Sequence, residues 1–305
     1  MVKHFMDSLM DNVVTVQDYI SQLALRFESA GLFYGHGTDN PYDEAVYIVF
    51  VLLGIEFDQD IDLAAKILSA AQLAKLEEAA CRRIDEHIPA AYLVGSAWFA
   101  GSKFNSDSRA LVPRSPLAEL ISSRFAGLLD TDPQRVLDMC TGSGCIGLAT
   151  ALEYPQAHVD LADISAEALD LAASNVSLHD LSSRVSLLLS DGFEAITGPY
   201  DLILCNPPYV SRDEYAELPL EYLAEPALGL LSEDEGLALP IKLLEQSSQF
   251  IKRDGLLIME VGFSQDALKK ALPDVPFVWL EFNHGGSGVF CLTGEQLRGF
   301  SATRK

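Results

Sequence analysis

Residues 206–209 read Asn-Pro-Pro-Tyr and close an apolar run, "LILC", at 202–205. Asn-Pro is ordinary turn punctuation and Pro-Pro cannot continue a sheet ladder, so the plain reading is a strand followed by a stiff loop. The chemical reading is narrower. A planar amide or exocyclic amine attacks a methyl carbon poorly because its nitrogen lone pair is delocalised. It needs acceptors for its two N–H bonds and a lone pair aimed at the carbon, and no strong base. The Asn206 side-chain oxygen can take one N–H; the Pro207 backbone carbonyl, fixed in direction by the Pro207-Pro208 unit, can take the other. Tyr209 can stack on the planar group. Such a turn works by positioning, which is worth up to about 7–11 kcal/mol in well-oriented systems.

A second cluster lies upstream. In "VLDMCTGSGCIGLAT" (136–150) the glycines 142, 144 and 147 satisfy G-x-G-x-x-G between a strand and a helix. Missing side chains let a cofactor lie against the backbone, and the helix start offers free N–H groups. The fingerprint alone serves NAD enzymes, S-adenosylmethionine enzymes and plain tight turns alike. Asp163, ending the next strand, is placed for ribose hydroxyls. Asp138, before the glycines, can meet the amino group of a methionine moiety. "SDGF" (190–193) offers Asp191 to an adenine amino group and Phe193 to its face. An acidic rim suits a cationic sulfonium, so S-adenosylmethionine is the favoured cofactor; no metal is expected.

Such clusters need strands that end at one edge of a sheet. From residue 134 the pattern alternates strand and helix: strands "RVLDM", "HVDLADI", "RVSLLLS", "YDLILC", "GLLIMEV", "FVWLEF" and "GVFCLT", with helices at 144–153, 165–178, 236–252 and 264–272. This predicts a mostly parallel sheet covered on both faces, its ligands beyond the carboxyl ends of the strands. The last two strands, separated by "NHGGS", should pair antiparallel. Residues 1–90 read as a small helical domain, from "VVTVQDYISQLALRF", "DEAVYIVFVLLGI" and "DLAAKILSAAQLAKLEEAACRRIDEH", with no catalytic pattern of its own. Residues 91–115, with aromatics, Gly and Asn-Ser turns, read as a β-hairpin linker, and 116–305 as the cofactor-binding catalytic domain.

The chain of 305 residues carries a formal net charge of -23. It repels phosphate backbones and has no Lys/Arg run, which argues against direct nucleic-acid binding and for a basic protein or cationic small molecule. Acidity that serves solubility alone is the competing explanation. Five scattered cysteines, never spaced C-x-x-C, argue for reduced thiols and against a zinc site. Cys140 reads as a small packed thiol and not a nucleophile, since no histidine neighbours it in sequence. The first twelve residues have acids where a signal peptide would be apolar, and "AVYIVFVLLGI" is too short to span a bilayer. A soluble, cytoplasmic protein is expected.

"DMCTGSGCIG" and "NPPY" together resemble the class I methyltransferases of the HemK/PrmB family, which methylate a glutamine side-chain amide. "IPAAYLVGSAWFAGSKF", "LVPRSPLAEL", "EPALGL" and "DEGL" extend the resemblance over nearly the whole chain. The family's Asp-x-Gly-Thr-Gly-Ser-Gly here has Cys140 at the first glycine. That cysteine, "PRSP" and the tail "WLEFNHGGSGVF" are similar to the branch that acts on ribosomal protein L-three of the large subunit. The resemblance implies an α/β Rossmann-like domain with a seven-stranded sheet, a helical N-terminal domain that docks the substrate, and a hairpin between them. It also implies that Asp138, Cys140, Thr141, Gly142, Gly144, Asp163, Ile164, Asp191, Phe193 and Asn206 line the S-adenosylmethionine site. Asn206, Pro207, Pro208 and Tyr209 would hold the target glutamine. Arg114 and Glu225 are candidates near the substrate and its loop, and Trp98 and Trp279 read as core aromatics. Glutamine methylation of a peptide-chain release factor and methylation of a nucleobase amine stay as alternatives, as does a non-catalytic cofactor-binding or assembly protein; an NAD dehydrogenase ranks last.

Overall fold

The computed structural model describes residues 14–303. They form two compact units: the described residues through Ser96 together with Pro219–Ala224, and Ala97–Leu218 with the described residues from Glu225 on.

In the first unit, local side-chain chemistry sets where helices start. Helix α1 (Val16–Ala30) opens on a capping box between Thr15 and Asp18 and stops at Gly31, φ 65°. Helix α2 (Pro41–Leu53) opens with Asn40 as cap and proline at its first position. The long helix expected from residue 62 begins only at α3 (Ala70–Asp85). The Asp62 carboxylate accepts from the backbone N–H of Ala64 and Ala65, a local turn that competes with helix, and Ser69 then caps the true start. Tyr19, Ile20, Leu23, Phe27, Ile48 and Leu76 fill the core of this unit.

A buried charge cluster sits within the same unit. The Arg83 side chain is 1% exposed; its Nε donates to Glu44 at 2.7 Å and an Nη to Glu221 at 3.0 Å. Glu221 also lies 3.0 Å from His87 Nδ1 and accepts from the Phe33 N–H. Burial pushes the Glu221 carboxyl up, but the bonds from His87, Arg83 and Phe33 outweigh it and hold it below the usual range. Helix α4 (Ala90–Val94) occupies the start of the segment expected to be hairpin, and Gly95 ends it. The hairpin is shorter: β1 (Ser96–Phe99) and β2 (Ser102–Asn105) joined by Ala100-Gly101, both at positive φ as a tight two-residue turn requires.

The second unit holds helix α5 (Leu117–Ser122) and a seven-stranded sheet. Its strands are β3 (Arg135–Met139), β4 (His158–Asp163), β5 (Val185–Leu189), β6 (Tyr200–Cys205), β7 (Ile251–Glu260), β8 (Val278–Trp279) and β9 (Val289–Thr293), in the order β5-β4-β3-β6-β7-β9-β8. All neighbours pair parallel except β9, which is antiparallel to both β7 and β8. The chain winds outward from β3 in one direction and returns through β6 in the other. The gap between the ends of β3 and β6 is therefore the topological switch point, where such sheets bind ligands. Helices α6 (Cys145–Glu153) and α7 (Ala166–Leu178) link the first strands. β3 through β6 match the sequence expectation within a residue or so.

Farther along, boundaries move. β7 starts at Ile251, four residues ahead of expectation, because Ile251 pairs with Tyr200 before a register shift. The strand expected at 277–282 forms ladder pairs only at Val278 and Trp279. Helix α8 (Arg212–Glu217) and a last helix at Gly294–Thr303 lie outside the segments expected to be helical. Trp279 is half-buried and packs on Phe277 and Phe290 against the core, and Trp98 is 38% exposed beside Lys103, so neither is the core aromatic expected.

Candidate active site

Met139 pairs with Cys205 across β3 and β6, so the glycine loop and Asn206 leave adjacent strands at one level. Cys140 has φ 60°, left-handed backbone that explains why the family's pattern has glycine there. Gly142 (φ 56°) and Gly144 (φ 82°) complete the turn, and Gly144 sits at the start of α6.

Aspartates hold the loop from beneath. Asp138 is wholly buried, and its Oδ2 accepts from Thr141 Oγ1 at 2.5 Å and from the Gly147 N–H at 2.8 Å. Its Oδ1 is buried with no hydrogen-bond partner among the described residues. Burial raises the Asp138 carboxyl to about 7 against those two bonds, with the Asp163 charge adding to the rise. Asp163 accepts from the Gly142 N–H and the Ser165 N–H, both at 2.9 Å; burial raises it too. The buried Asn175 amide accepts from the Asn105 N–H and donates to the carbonyls of Asn105 and Ser143, fastening the hairpin strand β2 to the glycine loop.

On the other side of Asp163, Ile164 is 53% exposed, an apolar surface beside the loop. Asp191 is half-exposed and paired with Lys242 at 2.8 Å. Phe193, expected against an adenine face, lies in the core, stacked on Phe250 at 4.6 Å between centroids. An aromatic after a strand-ending Asp-Gly can turn either way, and here apolar burial takes it inward.

At the other strand end, Pro207 and Pro208 are buried and Asn206 and Tyr209 are half-buried. No hydrogen bond among the described residues uses the Asn206 side chain. The Tyr209 hydroxyl donates to Glu260 at 3.0 Å. Arg114 grips the buried Glu225 with two bonds, of 2.6 and 2.5 Å, and Glu225 also accepts from the Val112 N–H. Both candidates are thus committed to each other. Cys205, just before Asn206, is buried, and burial first, then the adjoining Cys140 thiol, push it well above the usual thiol range. Among the described residues no cluster of His, Cys, Asp and Glu is placed to hold a metal ion, and no helix is long and apolar enough to cross a membrane.

Sequence reasoning passed over Glu260, Ser115 and Asn175. The signal for Glu260 was there: one acid ends the apolar run of "GLLIMEV" and stays only 6% exposed.

A methyltransferase small domain model matches residues 121–253. A ribosomal protein uL3 glutamine methyltransferase of Xanthomonas campestris pv. campestris is 46% identical over 295 residues, covering 96% of this chain and 95% of the relative. The chain belongs to that family. A second ribosomal protein uL3 glutamine methyltransferase, from Neisseria gonorrhoeae, is 42% identical over 293 residues, covering 94% of this chain and 97% of its own. This is the family expected from the glycine loop, the Asn-Pro-Pro-Tyr turn and the "WLEFNHGGSGVF" tail. In fold, this chain resembles the hMettl16 catalytic domain solved with MAT2A 3'UTR hairpin 6, with TM-score 0.51 and 17% identity over 76% of this chain and 85% of that one.

Proposed function

We propose that this chain transfers a methyl group from S-adenosylmethionine to the side-chain amide nitrogen of a glutamine in ribosomal protein uL3. The observation that carries the reading is the half-buried, unbonded Asn206 side chain at the switch point, level with a glycine loop braced by two aspartates.

The residues fit the cofactor. Asp138 Oδ1 is a buried acceptor without a partner among the described residues, matched to an ammonium donor. The Thr141, Gly142 and Gly144 N–H groups already donate to the Ala162 carbonyl, Asp163 and the Thr141 carbonyl, so a carboxylate would meet the start of α6. Each Asp163 oxygen takes one backbone N–H and keeps a second lone pair for a ribose hydroxyl. Ile164 supplies an apolar wall for the base. Asp191 meets the adenine amino group after its exposed pairing with Lys242 yields, and Phe193 backs the pocket from the core. Bound there, S-adenosylmethionine would supply an electrophilic methyl carbon on a sulfonium.

The chain's own contribution is orientation. Asn206 Oδ1 and the Pro207 carbonyl accept the two amide N–H bonds of the substrate, which turns the nitrogen lone pair out of conjugation and toward the methyl carbon. The amide nitrogen would gain the methyl carbon as the sulfonium's carbon–sulfur bond broke, and one amide proton would pass to water. Tyr209 covers the planar amide and keeps it from rotating.

The formal charge of -23 complements a basic ribosomal protein and opposes phosphate backbones; a ribosomal substrate puts the work in the cytoplasm. The test is incubation of the purified chain with methyl-labelled cofactor and either uL3 or a peptide-chain release factor. Label in uL3 alone is expected; label in the release factor alone would move the substrate assignment.

A further inference from the structure

Glu260 is the last residue of β7, and the pairing of Met259 with Cys205 sets it level with Asn206 on the neighbouring strand. Both of its oxygens are occupied. Oε1 accepts from the Tyr209 hydroxyl at 3.0 Å and Oε2 from the Ser115 hydroxyl at 2.5 Å. Ser115 Oγ in turn accepts from the Leu117 N–H at 3.1 Å, which ties this end of the chain of bonds to the start of α5.

The turn after β7 grips Tyr209 from the other side. Gly262 stands at φ 48°, and a Cβ there would lie 2.6 Å from Tyr209 Cε2, so the ring rests on glycine backbone. Ser264 Oγ donates to the Tyr209 carbonyl at 2.9 Å. Hydroxyl, ring face and carbonyl of Tyr209 are all held by residues 260–264. A carboxylate buried this deeply is costly unless its acceptors are filled, and both are filled by hydroxyls. Each oxygen accepts from a hydroxyl of the chain itself, and the one that reaches the Asn-Pro-Pro-Tyr turn does so through Tyr209, so Glu260 acts on the reaction through Tyr209.

We propose that Glu260 is a positioning residue for methyl transfer: braced by Ser115, it fixes the Tyr209 ring over Gly262 as the wall against which the substrate amide is held. This rests on the methyl-transfer reading for its kinetics and on the geometry alone for the ring.

The test combines steady-state kinetics with crystal structures of Glu260→Ala, Glu260→Gln, Tyr209→Phe and the double variant Glu260→Ala/Tyr209→Phe. Glu260→Ala and Tyr209→Phe should each lower kcat, approaching the roughly 100-fold loss that an ångström of misplacement brings. The KM for S-adenosylmethionine should not change. The double variant should be no slower than the slower single one, because both remove one hydrogen bond. Glu260→Gln, whose amide oxygen still accepts from Tyr209, should recover most of the rate. Effects that multiply in the double variant, or a Glu260→Ala enzyme with unchanged kcat, would overturn the proposal. Should Glu260→Ala fail to fold, Tyr209→Phe decides: it removes only the hydroxyl, and an unchanged kcat sinks the idea. If the wild type methylates no uL3, the substrate assignment fails separately. The structures then decide, with the Tyr209 ring displaced from Gly262 in Glu260→Ala expected and an unmoved ring contradicting it.

Discussion

Asp138 and Gly147 are locked together across the base of the glycine loop. The Gly147 N–H donates to Asp138 Oδ2 at 2.8 Å, and a Cβ on Gly147 would lie 2.8 Å from Asp138 Cβ and 2.3 Å from Leu161 Cδ2. The third glycine of the fingerprint is therefore a matter of space, since its φ is not in the left-handed region.

Gly147→Ala tests which term wins. Alanine gains about 0.5–1 kcal/mol in a helix interior, while overpacking a filled core costs about 1–3 kcal/mol. Net destabilisation is expected, together with weaker S-adenosylmethionine binding as the loop shifts. Thermal unfolding and calorimetric titration of the cofactor measure the two effects.

Asn206→Ala removes an acceptor that no described residue uses, so folding should be untouched. Methyl transfer should fall by at least about 100-fold while cofactor affinity stays within error. Single-turnover assays beside equilibrium binding separate these outcomes; loss of cofactor binding with transfer would assign Asn206 to the cofactor instead.

Asp138 makes stability depend on pH. Its carboxyl rises from 3.8 in the unfolded chain to about 7 when buried, so the folded state keeps a proton that the unfolded state releases. That contribution is fully present below about pH 4 and is lost as pH climbs through about 7. Asp138→Asn retains one oxygen to accept from Thr141 and Gly147 but cannot ionise. Urea unfolding of the cofactor-free proteins at several pH values between those limits should show a shallower decline for the variant.

Arg114→Ala should leave Glu225, whose side chain is fully buried, without its bidentate partner. Removing one member of a buried pair costs about 3–5 kcal/mol. Denaturant melts measure this, and the double variant Arg114→Met/Glu225→Leu should recover much of the loss because it buries no unpaired charge.

The central strands were legible because runs such as "YDLILC" and "RVLDM" are apolar, short and bounded by turn residues. The terminal helix was not. "GEQLRGFSAT" contains two glycines, and it becomes helical because Thr293 caps the Gln296 N–H and Leu297 and Phe300 are buried in the core behind the sheet. In the site, residue types and spacing pointed to Asn206, Asp138 and Asp163, since motifs encode backbone turns and acceptors. They could not disclose that Asp138 faces the loop from beneath, that Phe193 turns into the core, or that Glu260 holds Tyr209. Those are long-range packing facts: Tyr209 and Glu260 stand 51 positions apart, and Ser115 and Glu260 145.

Glutamine methylation is read out by tandem mass spectrometry of uL3 after reaction with this chain and S-adenosylmethionine. One added methyl group on a glutamine side-chain amide is expected, absent with Asn206→Ala. A methyl group on any other side chain, or unmodified uL3 under conditions where the chain binds cofactor, would contradict it.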